Sequence, residues 1–133
     1  MNSKDFREKF KKVEPKTGLD FSRQFYQTKE WRTIRENYRK KKRKEHEAIV
    51  FKVYEENVDK NKPSDLMAFM YDERKNPLDE TELKNGIIKV ADVADHILSR
   101  RYGGSDDKDN LQWLTKENHY KKTKKESRQQ YDV

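Results

Sequence analysis

The sequence predicts an α+β domain in which a C-terminal strand–loop–strand–helix unit packs against several helices. Three observations carry that reading. Apolar residues recur at helical intervals through Trp31, Ile34, Tyr38, Ile49/Val50, Val53/Tyr54 and Val58. Two apolar stretches, 87–98 and 111–114, flank a loop at 101–110 that Gly103 and Gly104 keep out of any regular element. Thr115 then stands as an N-cap for a last helix that runs from Lys116 into a basic tail.

The elements follow in order. Residues 1–20, polar and interrupted by Pro15 and Gly18, read as a loose arm. Thr28 is an N-cap for the first long helix. That helix continues through six consecutive basic residues, Arg39, Lys40, Lys41, Lys42, Arg43 and Lys44, which form either a solvated face or a DNA contact. His46 reads as a surface histidine. Pro63-Ser64-Asp65 opens a short helix carrying Leu66, Phe69 and Met70. Asn76-Pro77 reads as an N-cap with proline at the first helical position, and Asn85-Gly86 as its close. Residues 62–82 hold six acids against three bases, a poor surface for DNA and one that would turn away from it or toward a protein partner. Trp31 and Trp113 read as core residues before stacking platforms.

Composition bounds the function. Charged residues make up 43% of the 133-residue chain and hydrophobic ones 31%, so one compact centre with polar ends is expected. A net charge of +7 favours polyanions, nucleic acid first. With no cysteine, disulfides and thiolate zinc sites are excluded. No apolar run approaches the length of a bilayer span or of a signal-peptide core, so the expectation is a cytoplasmic protein with no membrane partner.

Three side chains near the C-terminus supply the parts for hydrolysing a phosphodiester. Histidine titrates near working pH and suits the role of base. A carboxylate and an imidazole together can hold a divalent ion while leaving positions open for phosphate and water. Asp95, His96 and His119 offer that set, with Asn110 after the glycine loop.

The order Asp95-His96, Asn110, His119 resembles the HNH endonuclease family. Ala94-Asp95-His96-Ile97 is similar to its first motif strand, Asn110-Leu111-Gln112-Trp113-Leu114 to its central stretch, and His119-Tyr120-Lys121-Lys122-Thr123 to its closing motif. Phe25-Tyr26, Trp31 and Arg35 are similar to the lead-in of small phage members. The resemblance covers about residues 25–35 and 83–125. It implies a ββα-metal (His-Me finger) motif with additional helices, within an HNH domain at 21–126 that carries a helical insertion at about 40–83. Residues 127–133 would form a polar tail.

The resemblance also implies roles. His96 would be the general base, Asp95 and His119 would bind a divalent cation (Mg or Mn), and the Asn110 amide would bridge the loop and hold the His96 strand. Lys122 would meet a phosphate, and Arg100 and Arg101 would contact DNA or solvent. Cleavage of double-stranded DNA would leave 5′-phosphate and 3′-hydroxyl ends, beside a terminase of the packaging machinery or another partner docked on 62–82. Where many phage members carry two Cys-x-x-Cys pairs for a structural zinc, this chain has Asp79/Glu82 and Thr115/Asn118, so no structural zinc is expected and the insertion would replace it by apolar packing. Two rivals remain: a catalytically silent DNA-binding module and a regulatory protein-interaction factor. One geometric demand follows from the pleat: adjacent Asp95 and His96 point to opposite faces, so a bend or strand end is needed there.

Overall fold

The computed structural model describes residues 24–131, with side-chain surroundings as far as Glu126. The expected arm at 1–20 lies outside the described residues, as do the side chains of the expected tail. Among the described residues the elements are, in order, α1 (Lys29–Glu56), α2 (Pro63–Met70), α3 (Glu80–Lys84), β1 (Val93–His96), two 3-10 turns (Arg100–Tyr102 and Lys108–Asn110), β2 (Leu111–Leu114) and α4 (Lys116–Tyr131). None of these helices is long and apolar enough to cross a membrane.

α1 begins where expected: the Thr28 hydroxyl accepts from the Trp31 N–H at 3.1 Å. Its 28 residues span about 42 Å at 1.5 Å per residue, enough to serve two cores. At its start, Trp31 and Tyr38 pack with Phe25, Ala91, Leu111 and Trp113; toward its end, Val50 packs with Phe69, Leu78 and Ile88. The second cluster draws Val50, Phe69 and Leu78 from the stretch 40–83 and Ile88 from beyond it. Between the two, the inward face of α1 is polar. The Arg43 guanidinium donates to the Asn76 carbonyl at 3.0 Å and lies 3.8 Å from the centre of the Phe69 ring, while His46 Nδ1 accepts from the Leu78 N–H at 2.9 Å. His46 is thus buried rather than on the surface, because the backbone at 76–78 needs its acceptor.

α3 starts later than Asn76-Pro77 suggests. Asp79 is its N-cap, accepting from Glu82 N–H at 2.9 Å, while the Asn76 side chain is held by the Ala91 carbonyl at 3.0 Å. The strand is also shorter than 87–98: only Val93–His96 pairs with β2, and residues 89–91 instead hydrogen-bond back to 77–79. Asn85 and Gly86 close α3 as expected, Gly86 with a positive φ of 77°.

A polar brace ties α3 to the start of α4. Asp79 Oδ2 accepts from the Thr115 N–H at 2.7 Å and from Asn118 Nδ2 at 2.9 Å, and Asn118 Nδ2 also donates to Glu82 Oε1 at 3.1 Å. These are the four positions at which the family resemblance puts zinc cysteines. Hydrogen bonds make the link there.

Candidate active site

β1 and β2 are antiparallel with Asp95 opposite Gln112 and His96 opposite Leu111, and α4 crosses them. β1 ends at His96, but the strand end does not bring the two side chains to one face. The loop that follows is closed by Asn110: its Oδ1 accepts from Leu98 N–H at 2.8 Å, and its Nδ2 donates to the carbonyls of Leu98 (3.0 Å) and Ser105 (2.7 Å). Gly104 is required within that loop, because a Cβ there would run into the Leu98 carbonyl. Asn110 is accordingly a positioning residue.

Asp95 and His96 point to opposite faces. Asp95 Oδ1 lies 3.5 Å from His119 Nε2 in the first turn of α4, while Oδ2 accepts from Lys122 Nζ at 3.0 Å and from Gln112 Nε2 at 3.2 Å. His96, 1% exposed, is stacked on Trp31 with ring centres 5.2 Å apart. Its Nε2 is 2.8 Å from Asp106 Oδ1 and its Nδ1 is 3.0 Å from the Tyr26 hydroxyl. A carboxylate only accepts, so Nε2 carries the hydrogen and Nδ1 is the lone pair that receives the Tyr26 O–H. Burial, then the charge of Asp95, pushes the Tyr26 phenol up to about 12, which keeps it a donor at neutral pH.

Tyr26, Trp31, Asp95 and His119 share a cavity of about 250 Å³ whose further wall is Arg35 and Arg39. His96 lies behind it, reached through Tyr26. Among the described residues no three His, Asp or Glu side chains come together as a metal site, so Asp95 and His119 are the pair available to a divalent cation. Asp95 Oδ1 and His119 Nε2 are close enough for both to reach one ion at about 2.1 Å from each, and a carboxylate with an imidazole leaves positions for phosphate and water.

Several basic residues are engaged inside the protein. Lys122 donates to Asp95, to the His96 carbonyl at 2.9 Å and to Glu126 at 2.7 Å. Burial alone would lower its pKa, but Glu126 and Asp95 outweigh it and hold the ammonium above its usual value. Lys122 therefore does not project toward a phosphate; it fixes Asp95. Arg43 is buried, as described, and cannot meet DNA either. Arg100 pairs with Asp106 at 3.0 Å and lies 3.4 Å over the Phe25 ring, buttressing the His96 clamp, and the Arg101 guanidinium sits 5.3 Å from the Tyr102 ring centre. Arg39 pairs with Glu36 at 2.7 Å and Lys42 bridges Glu45 and Glu80, leaving Lys40, Lys41 and Lys44 exposed on α1.

The acidic stretch 62–82 is similarly absorbed. Asp79 and Glu82 form the brace, Glu80 accepts from Tyr38 and the Trp113 N–H, and Asp65 caps α2. Tyr26, Arg35 and Gln112 stand within stretches that the resemblance marks but gives no role, and Asp106 was not singled out. Its place beside the glycines was the only sequence signal for Asp106.

Fold and site together define an α+β domain with a carboxylate–imidazole pair beside a buried, clamped histidine. No protein-family model matches the chain, and no curated protein matches it. Among solved structures it is similar to the HNH endonuclease of the deep-sea thermophilic bacteriophage GVE2, crystallised with manganese ion. The identity is 19% and the TM-score 0.46, over 97% of this chain and 98% of that one.

Proposed function

We propose that this domain is a metal-dependent endonuclease of the HNH kind that hydrolyses phosphodiester bonds of double-stranded DNA. The observation that carries the reading is the meeting of Asp95 Oδ1 and His119 Nε2 at 3.5 Å on the edge of a cavity that Tyr26 connects to His96. Asp95 and His119 would hold a divalent cation, Mg or Mn, whose charge stabilises the scissile phosphate and the leaving 3′ oxygen.

The chain's own groups handle the proton. Nδ1 is the basic atom of His96, and the Tyr26 hydroxyl joins it to the cavity. As the water oxygen attacks phosphorus, its proton passes to the Tyr26 oxygen and the Tyr26 proton passes to Nδ1. The imidazolium so formed keeps its Nε2–H on Asp106, and Arg100 holds Asp106 in place. The P–O3′ bond breaks and the 3′ oxygen takes a proton from solvent, giving a 5′-phosphate and a 3′-hydroxyl. Lys122 and Gln112 keep Asp95 turned toward His119.

A plasmid-relaxation assay tests this. The protein should nick or linearise supercoiled DNA with Mg or Mn and leave it intact with EDTA. Intact plasmid under all three conditions would overturn the nuclease reading in favour of a DNA-binding module.

A further inference from the structure

The cavity beside Asp95 and His119 has charges that do not cancel within the protein. Its two carboxylates are already matched. Asp92 pairs with Arg74 at 3.2 Å and accepts from the Lys116 N–H at 3.0 Å, and Asp95 pairs with Lys122. Arg39 is tied to Glu36. Arg35, one turn before Arg39 on the same face of α1, has no carboxylate partner among the described residues.

Unsatisfied donors sit on the same wall. Arg35 Nε, Arg39 Nε and Trp113 Nε1 have no hydrogen-bond partner but are closed to water, and so to a phosphate oxygen; what the cavity meets without an acceptor is the outer part of the Arg35 guanidinium, its Nη groups. Buried donors in native proteins nearly always find an acceptor, and a half-buried guanidinium without a counter-charge is costly. An anion in the cavity is the counter-charge that Arg35 lacks. A guanidinium recognises phosphate oxygens through paired N–H bonds.

We propose that Arg35, with Arg39 one turn along the same wall, forms a subsite for a backbone phosphate of DNA next to the one that is cut. The inference rests on the nuclease reading for its ligand and extends it to residues that hold the strand in register with Asp95 and His119. Phosphate contacts carry no base information, so the subsite acts alike on all sequences.

Binding can be measured without cleavage. Fluorescence anisotropy of two unrelated duplex oligonucleotides in EDTA, over a salt series, compares wild type with Arg35→Gln and Arg35→Lys. Arg35→Gln should weaken both duplexes about tenfold and flatten the plot of log affinity against log salt by about 0.9, the value for one lost phosphate contact. Arg35→Lys should restore the slope while recovering only part of the affinity, since it keeps the charge and loses the fork. An unchanged salt slope in Arg35→Gln would overturn the subsite. So would equal affinities of Arg35→Gln and Arg35→Lys, each first checked for a wild-type Tm. Wild type that meets these binding expectations yet never cuts plasmid with Mg or Mn would end the nuclease reading and leave the phosphate subsite standing.

Discussion

The Tyr26 hydroxyl lies 3.0 Å from His96 Nδ1, and because His96 is 1% exposed, it is the phenol and not the imidazole that the cavity meets. Tyr26→Phe keeps the ring beside Phe25 and Trp31, at centroid distances of 5.5 and 5.1 Å, and removes only the hydroxyl. Cleavage should fall roughly tenfold or more with DNA affinity unchanged. His96→Ala should cost at least about 10²-fold, within the range of a lost general base. A Tyr26→Phe protein as fast as wild type would mean that the phenol merely covers the imidazole.

Asp95 and His119 are the only donors assigned to the cation. Mg or Mn at about 100 times its Kd should raise wild-type stability by about 2.7 kcal/mol, read as a higher Tm. Asp95→Ala and His119→Ala should lose both that rise and cleavage, while His96→Ala keeps the rise. DNA affinity should drop much less, since lysine and arginine dominate it. Cleavage by His119→Ala at the wild-type rate would remove this residue from the site.

The Asp79 brace should behave as a structural link independent of metal. Asp79→Ala orphans the N–H groups of Glu82 and Thr115 and one Asn118 donor in a position that is 0% exposed. At about 1–3 kcal/mol per buried unpaired group, the loss should reach about 3 kcal/mol or more in denaturant unfolding. In Asp95→Ala, which cannot hold the catalytic cation, EDTA should leave the unfolding midpoint where it is. A midpoint that falls with chelator in that protein would show that an ion bound elsewhere carries the fold.

His46 makes stability depend on pH in acid. Burial, then the charge of Lys42, lowers its pKa to about 4, against about 6.5 in the unfolded chain. Between these values the unfolded chain takes up a proton that the folded one refuses. This contribution is whole above about pH 6.5 and fades as pH falls toward 4, by about 3 kcal/mol in all. His46→Gln, which can still accept from Leu78 N–H and does not titrate, should show a shallower acid limb in urea titrations. Equal slopes in both proteins would remove His46 as the source.

The basic run divides by face. Changing Lys40, Lys41 and Lys44 to Gln should leave stability within about 0.5 kcal/mol, as for other surface changes. Where these residues touch phosphate, the salt slope on duplex DNA should fall by about 0.9 per contact. Arg43→Gln should instead destabilise, having lost Asn76, Glu47 and the Phe69 face. A salt slope unmoved by the triple change would assign Lys40, Lys41 and Lys44 to solvent.

Elements with local signals were readable in the sequence: the Thr28 cap, proline at the start of α2, Gly86 after α3 and Thr115 before α4 all act within a few residues of themselves. Asn76-Pro77 carried as good a local signal as Asp79. It failed because the Asn76 amide is taken by Ala91, fifteen residues away. Arg43 and His46 could not be told from solvated neighbours, since what buries them is backbone at 76–78 rather than an apolar pattern. The Asp95, His96, Asn110 and His119 set was visible as a motif. Its electrostatics were not, because Tyr26 lies 70 residues before His96, and the lysine motif gave no hint that Lys122 turns inward to Asp95.

The pleat of β1 assigns the two adjacent residues to separate compartments: residue 95 to the side of Gln112, His119 and Lys122, and residue 96 to the aromatic side of Phe25, Tyr26 and Trp31. Their order in the chain is therefore as binding as their identity. The double exchange Asp95→His with His96→Asp preserves composition, charge and motif letters. It would nonetheless bury a carboxylate against three aromatic rings and set an imidazole beside Lys122, because a one-residue shift along a strand reverses the face. A site built on a single β-hairpin edge thus has a handedness: the cation side and the proton side cannot trade places without rebuilding both walls.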